Sequence, residues 1–148
     1  MKEQVVRQAT WAHLGKDITP ETTLVSGIPE ELAFTVHKEH MGFMNADNQF
    51  IRIEGTSTVI NDMTGKAYGP VSDNYAAVSN SDALGVLQYI DGLELKKYGE
   101  TQSGMQFIIG QLADVTILGD SFTPYLIFRN SFNGRYPIQA AITPLRIV

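Results

Sequence analysis

Two hydrophobic periods divide the chain. Odd and even positions separate in Phe50-Ile51-Arg52-Ile53-Glu54, where Phe50, Arg52 and Glu54 oppose Ile51 and Ile53. That is the period of a strand. A β-branched run, Thr56 to Ile60, follows. Asn61 to Lys66 has turn composition, and Ala67-Tyr68-Gly69-Pro70-Val71 returns, so this stretch predicts a hairpin. A second hairpin is expected over Thr123 to Val148, turning at Asn133-Gly134. Asn-Gly between β-rich runs favours a type I′ turn, which needs φ > 0 at both central residues. Its strands are apolar on both faces: Tyr125 and Ile127 against Leu126 and Phe128, then Ile138, Ala140 and Ile142 against Ala141, Leu145 and Ile147. Strands of that kind are covered on two sides, which places this hairpin at the sheet centre. Pro144 cannot donate to a ladder and marks a bulge or an edge segment. Arg129 and Arg146, inside otherwise apolar strands, need partners or access to water.

The helical period is clearest in Ala83, Val86, Leu87 and Ile90, an i, i+3, i+4, i+7 stripe that reads as a core face. Ser79 with Asp82 fits a capping box, with Asn80 as the rival cap, and Gly92 suits the C′ position. One principal helix over about 80–92 is expected. Shorter N-terminal helices are expected too. Val5, Val6, Ala9 and Ala12 line one face before Gly15, and Thr19-Pro20-Glu21 starts a helix that Gly27 and Pro29 close. Leu95 to Glu100, Gln106 to Leu112 and Val115 to Leu118 read as strands, Glu31 to Val36 as a looser one. His37 to Asn48 shows no single period. The fold class expected is α+β: a mainly antiparallel sheet built from hairpins, packed against one principal helix, with short N-terminal helices. At 148 residues, 43% of them hydrophobic, the chain is expected to form a single domain, 1–148.

Charge narrows the picture. The formal net charge of −5 gives no global field for nucleic acid or anionic lipid, though a local basic groove stays open. The absence of cysteine excludes disulfides, a thiolate nucleophile and cysteine-ligated zinc. Met1 to Arg7 lacks the apolar core of a secretory signal, and no run approaches the ~18 apolar residues of a membrane span. A cytoplasmic protein with no membrane partner is expected.

Candidate chemistry is sparse. His37-Lys38-Glu39-His40 resembles a metal motif, with Asp47 as a further oxygen ligand. On a helix the two histidines share a face. On a strand their odd spacing sends them to opposite faces, and Phe34-Thr35-Val36 before them favours strand. Val115 to Thr123 resembles the first block of the GDS-type esterases, but that serine needs a downstream histidine and the last histidine is His40. Gly119-Asp120 then reads as turn chemistry. No phosphate-binding glycine motif is present. No catalytic residue, cofactor or metal is expected. Lys96, Lys97, Arg129, Arg135 and Arg146 interleave with Tyr98, Phe107, Tyr125, Phe128, Phe132 and Tyr136. On one sheet face these would combine cations with stacking rings, as single-strand binders do. The plainer alternative makes the rings core and the cations rim, and the acidic balance favours it.

A wider pattern joins Trp11 with Gly15, Val71-Ser72-Asp73-Asn74-Tyr75-Ala76-Ala77-Val78-Ser79-Asn80 before a helix, Glu100-Thr101 with Gly104, Asn130-Ser131-Phe132-Asn133-Gly134, and Thr143-Pro144-Leu145-Arg146-Ile147-Val148. In that order they resemble the phage- and plasmid-like family called domain of unknown function 932. The resemblance implies a mobile-element context and no particular reaction. Where the family's Asn-Ser-x-x-Gly turn carries His and Asp, this chain has Phe132 and Asn133, so any acid–base or metal role of that pair is expected to be missing. Ser79 stands where Gln is usual. Members of the family continue into a Cys-x-Asn-Thr run, which makes this chain a shortened relative in expectation. The expected function is a non-enzymatic accessory factor that binds single-stranded nucleic acid or a DNA-metabolism partner. The alternative is a structural or assembly module, such as a homo-oligomer. The candidate binding residues are Arg129, Asn130, Asn133 and Arg135, with Tyr75 and Asn80 behind them. Asn80 doubles as a helix cap and Asn133 as a turn residue.

Overall fold

Strand periodicity governs most of the chain that the computed structural model describes, residues 15–147, with side chains to Thr143. The strands are β1 (Lys16–Asp17), β2 (Leu24–Val25), β3 (Ile28–Pro29), β4 (Val36–Met44), β5 (Phe50–Asn61), β6 (Ala67–Ser72), β7 (Glu94–Glu100), β8 (Met105–Gln111), β9 (Val115–Ile117), β10 (Asp120–Ser131) and β11 (Gln139–Ile147). The larger sheet runs β1-β7-β8-β10-β11, with β9 also on β10. The smaller is β4-β5-β6, and β2-β3 form a separate ribbon. Every pairing is antiparallel.

The α+β expectation with a principal helix is therefore corrected. Where a helix over about 80–92 was expected, one short α-helical stretch, α1 (Asn80–Leu84), tightens at Gly85 into a 3-10 segment, Gly85–Tyr89. Its start is capped as expected, with Ser79 Oγ accepting from Asp82 N at 3.2 Å. Gly85 then weakens the α-helix, and the chain winds to three residues per turn. The buried stripe changes period with it. Leu84, Leu87 and Ile90, three apart, enter the core, while Val86 is 54% exposed.

The short helix expected from Thr19 is also absent. Thr22 N closes a turn on Thr19 O at 3.0 Å, and the chain enters β2. Ser26 and Gly27 join β2 to β3 with φ of 52° and 83°. The two-residue turn with both φ positive thus occurs here rather than at Asn133-Gly134. A 3-10 turn, Glu30–Leu32, follows. The helix expected before Gly15 lies outside the described residues.

The C-terminal hairpin exists, but its last paired residues are Arg129 and Gln139, leaving a wide loop over 132–138. Only Gly134 within it has positive φ, at 73°. Phe132 is fully buried and leaves the ladder for the core, so the turn cannot close tightly. Nor is this hairpin the sheet centre. That place belongs to β8, where Gln106 to Gly110 are buried on both faces, whereas β11 is an edge with Ile142 68% exposed.

Two apolar clusters fill the space under the larger sheet. The first joins Ile28, Leu32, Leu84 and Leu87 to Tyr98, Ile108, Leu126 and Phe128. The second joins Phe34, Val59, Tyr68 and Val71 of the smaller-sheet side to Phe132. The Phe132 ring packs tilted on Phe34 and Tyr68, at centroid distances of 5.6 and 5.3 Å. Between the clusters lies a polar row. Gln106 is the cross-strand partner of both Glu100 and Asn130, so three polar side chains cross β7, β8 and β10 on the inner face.

Candidate binding site

Strand alternation places Leu126, Phe128 and Asn130 inward along β10. Asn130 is almost fully buried and needs partners there. Its Nδ2 donates to Val78 O at 2.8 Å and to Asn80 Oδ1 at 3.0 Å. The first bond holds the segment leading into α1, and the second holds the first residue of α1 itself. Asn80 is fully buried, and its Nδ2 has no hydrogen-bond partner among the described residues.

Beside Asn130 opens a cavity of about 330 Å³, lined on one side by Tyr75 and Val78 and on the other by Ser131, Gly134 and Tyr136. The loop that forms it is held by side-chain bonds. Ser131 Oγ donates to Tyr136 O at 2.9 Å and accepts from Tyr136 N at 3.2 Å. Asn133 Oδ1 accepts from Arg135 N at 3.0 Å, and Asn133 Nδ2 donates to Ser103 O at 2.7 Å. Tyr75 Oη donates to Ser131 O at 3.1 Å. Burial pushes the Tyr75 hydroxyl above the usual tyrosine range, so it stays neutral. Among the described residues no lysine, arginine, histidine or carboxylate lines this cavity.

The six expected site residues therefore divide. Tyr75 and Asn130 line the cavity, Asn80 braces Asn130, and Asn133 holds the loop to the β7–β8 turn. Arg135 is exposed on that loop. Arg129 points to the opposite face of β10, where its guanidinium donates to Gln139 Oε1. Ser131 and Tyr136 were not among the expected residues. Their signal is the polar-aromatic spacing of the loop itself, which reads as a turn until Phe132 is known to be buried.

Most of the described rings and cations follow the plainer alternative, and the side chain of Arg146 lies outside the described residues. Tyr98, Phe107, Phe128 and Phe132 are core residues. Lys96 pairs with Glu94 at 2.9 Å and Lys97 with Asp17 at 2.8 Å. The histidines separate as strand spacing requires. His37 bonds Asp62 and Glu39, whereas His40 Nδ1 lies 3.8 Å from Asp73 Oδ1. Among the described residues no group of three or more His, Cys, Asp or Glu side chains could hold a metal ion. Ser57 joins His40 and Asp73, but its Oγ donates to Asp73 Oδ1 at 2.5 Å. A nucleophilic serine needs the imidazole in that place, so the cluster is an ion-pair network, extended by Arg52 on Asp73 Oδ2 at 2.6 Å.

Fold and site together define an antiparallel β domain with a buried amide pair beside an uncharged cavity. Among the described residues no helix is long and apolar enough to cross a membrane. The chain belongs to the family described as Domain of unknown function (DUF932), whose model matches residues 67–148. Every residue lining the cavity falls within that segment. The chain matches none of the curated proteins and none of the solved structures with which it was compared.

Proposed function

We propose that the domain is a non-enzymatic accessory binding module whose cavity receives one unstacked base of a single-stranded nucleic acid, in the setting of phage or plasmid DNA metabolism. The observation that carries this reading is the held amide of Asn130 in an uncharged, tyrosine-walled cavity. Its donor is engaged by Val78 and Asn80, which leaves Oδ1 as the acceptor for a base N–H. Tyr75 and Tyr136 supply ring faces, and base–aromatic stacking tolerates any sequence. Arg135, exposed on the same loop, is the group for an adjoining phosphate. The Ser131 and Tyr75 hydroxyls that line the cavity are engaged by the loop, Ser131 Oγ with Tyr136 O and N and Tyr75 Oη with Ser131 O, which favours binding over proton transfer.

A second reading rests on a different observation. The β4–β5 hairpin exposes Phe43, Met44, Phe50, Ile51 and Ile53 together. An apolar tip of that kind suits an assembly module or a homo-oligomer. Light scattering on a sizing column, run at low salt with and without a short single-stranded oligonucleotide, separates the two. Under the first reading the mass rises with oligonucleotide. Arg135→Ala then weakens binding several-fold and lowers the salt slope by about 1. A constant dimeric or larger mass supports the second reading. A constant monomer excludes both.

A further inference from the structure

A separate cavity of about 450 Å³ opens between the two sheets, at the other end of the polar row. We propose that it is a binding site for a small organic ammonium ion, an amine on an apolar body, whose charged group takes the place now held by the ammonium of Lys66. The chain's own side chain marks that place. Lys66 Nζ sits over the Tyr68 ring, 5.1 Å from the centroid, and lies 2.9 Å from Glu100 Oε2. A ring face and a carboxylate are the two groups that recognise an ammonium, the first through its quadrupole and the second through its charge. Both line the cavity. Glu100 is held in position from behind, because its other oxygen accepts from Gln106 Nε2 at 2.5 Å.

Of the two ion pairs in the lining, only this one has a replaceable cation. The Lys66 side chain is 44% exposed and lies on a single oxygen of Glu100, so it can swing into water at little cost. Lys16 instead bonds both oxygens of Glu31, at 2.9 and 2.7 Å, and Glu31 Oε1 also accepts from the Tyr98 hydroxyl at 3.0 Å. With Lys66 turned out, Lys16 stands against Glu31 and Glu100, and a single incoming cation restores the balance. The chain's net charge of −5 draws a ligand of the same sign. Leu32, Phe34 and Tyr98 are buried walls, which suits an apolar body behind the ammonium. An anion would meet two carboxylates, and an uncharged ring gains nothing from Glu100.

The test compares phenethylamine, a cation at neutral pH, with 2-phenylethanol, its uncharged counterpart of nearly equal shape. Each is titrated into the full chain by calorimetry, with amide chemical shifts locating the site. In the wild type the amine has to displace Lys66. Lys66→Ala removes that competitor and should raise affinity for the amine about tenfold, the worth of a desolvated cation–π contact, while leaving affinity for the alcohol unchanged. Adding Glu100→Gln keeps the shape, removes the charge and should cancel the gain for the amine alone. The proposal is overturned if the amine fails to bind Lys66→Ala at millimolar concentration, or if the alcohol gains as much as the amine. Shifts confined to residues away from the cavity overturn it too, as does a gain that survives Glu100→Gln. Should the double variant fail to fold, Lys66→Arg decides. Arginine keeps a cation over the ring, so wild-type affinity for the amine supports the site, and a gain equal to that of Lys66→Ala refutes it.

Discussion

The two ends of the polar row use the same kind of side chain in opposite ways. At one end Asn130 is a working brace, its donor shared between Val78 O and Asn80 Oδ1 in an uncharged setting. At the other, Gln106 is held by Glu100 and Gly104 and leaves an acceptor unpaired, among two ion pairs. Both are cross-strand neighbours on one inner face. The lesson is that strand alternation decides only that an amide is buried. What the amide then does depends on the third element packed over it, α1 in one case and the smaller sheet in the other.

The largest effect is expected where both ends share a support. Phe132 touches Tyr68, a wall of the inter-sheet cavity, and follows Ser131 in the loop of the amide cavity. Phe132→Ala should cost about 3–5 kcal/mol in urea unfolding, because a fully buried ring leaves a void that neither sheet can close. A loss near zero would mean that the second apolar cluster is not a common floor.

A sharper comparison sets the two amides against each other. Asn130→Ala leaves Val78 O and the Asn80 amide without their donor in the interior, at a cost of about 2 kcal/mol. Gln106→Met keeps the volume and removes the orphan acceptor along with two bonds, so about 1 kcal/mol or less is expected. Chemical denaturation of both variants checks the order. If Gln106→Met proves the costlier, the contrast between a used and an unused amide is wrong.

The smallest effect comes from a solvent-exposed counterpart on the smaller sheet. Hydrogen bonds to Asp62, then to Glu39, raise the pKa of His37 above its ordinary value of 6.5. A raised pKa means that the charged clasp contributes fully below pH 6.5 and is lost as pH rises through the folded value. Asp62 is held below its ordinary 3.8, first by the Thr35 hydroxyl and then by His37. Its contribution is present above 3.8 and is lost as pH falls through the lowered value. Both are exposed, so the effect is modest and screened by salt. The urea midpoint should fall slightly from pH 6 towards pH 8 in the wild type and stay level in His37→Gln, and equal slopes would remove the clasp from the account.

Much of the local structure is legible in the sequence. The β5–β6 hairpin turns at Asn61 to Lys66 as its composition requires, because Asn61 Oδ1 accepts from Met63 N at 2.8 Å and Thr64 N at 3.2 Å. The Ser79 cap was legible because a capping box acts over three residues. The period of the stripe after it was not, because Gly85 and tertiary packing chose the tighter winding. The candidate site was half legible. Tyr75, Asn80, Asn130 and Asn133 do converge on one loop and its supports, but Arg129 faces away from them, since it is one residue out of phase with Asn130.

What the sequence by itself determined is therefore whatever acts within a few residues: strand period, turn chemistry, the helix start, and membership of the family through the order of its motifs. Only the tertiary structure decided which strand is the centre, which apolar hairpin becomes an edge, and what each buried amide meets. Asn80 and Asn130 are 50 residues apart, and Asn133 and Ser103 are 30 apart. Such partners are chosen when strands pair and sheets pack. Backbone geometry fixes on which face a side chain stands, and the closure of distant chain segments fixes what stands opposite it.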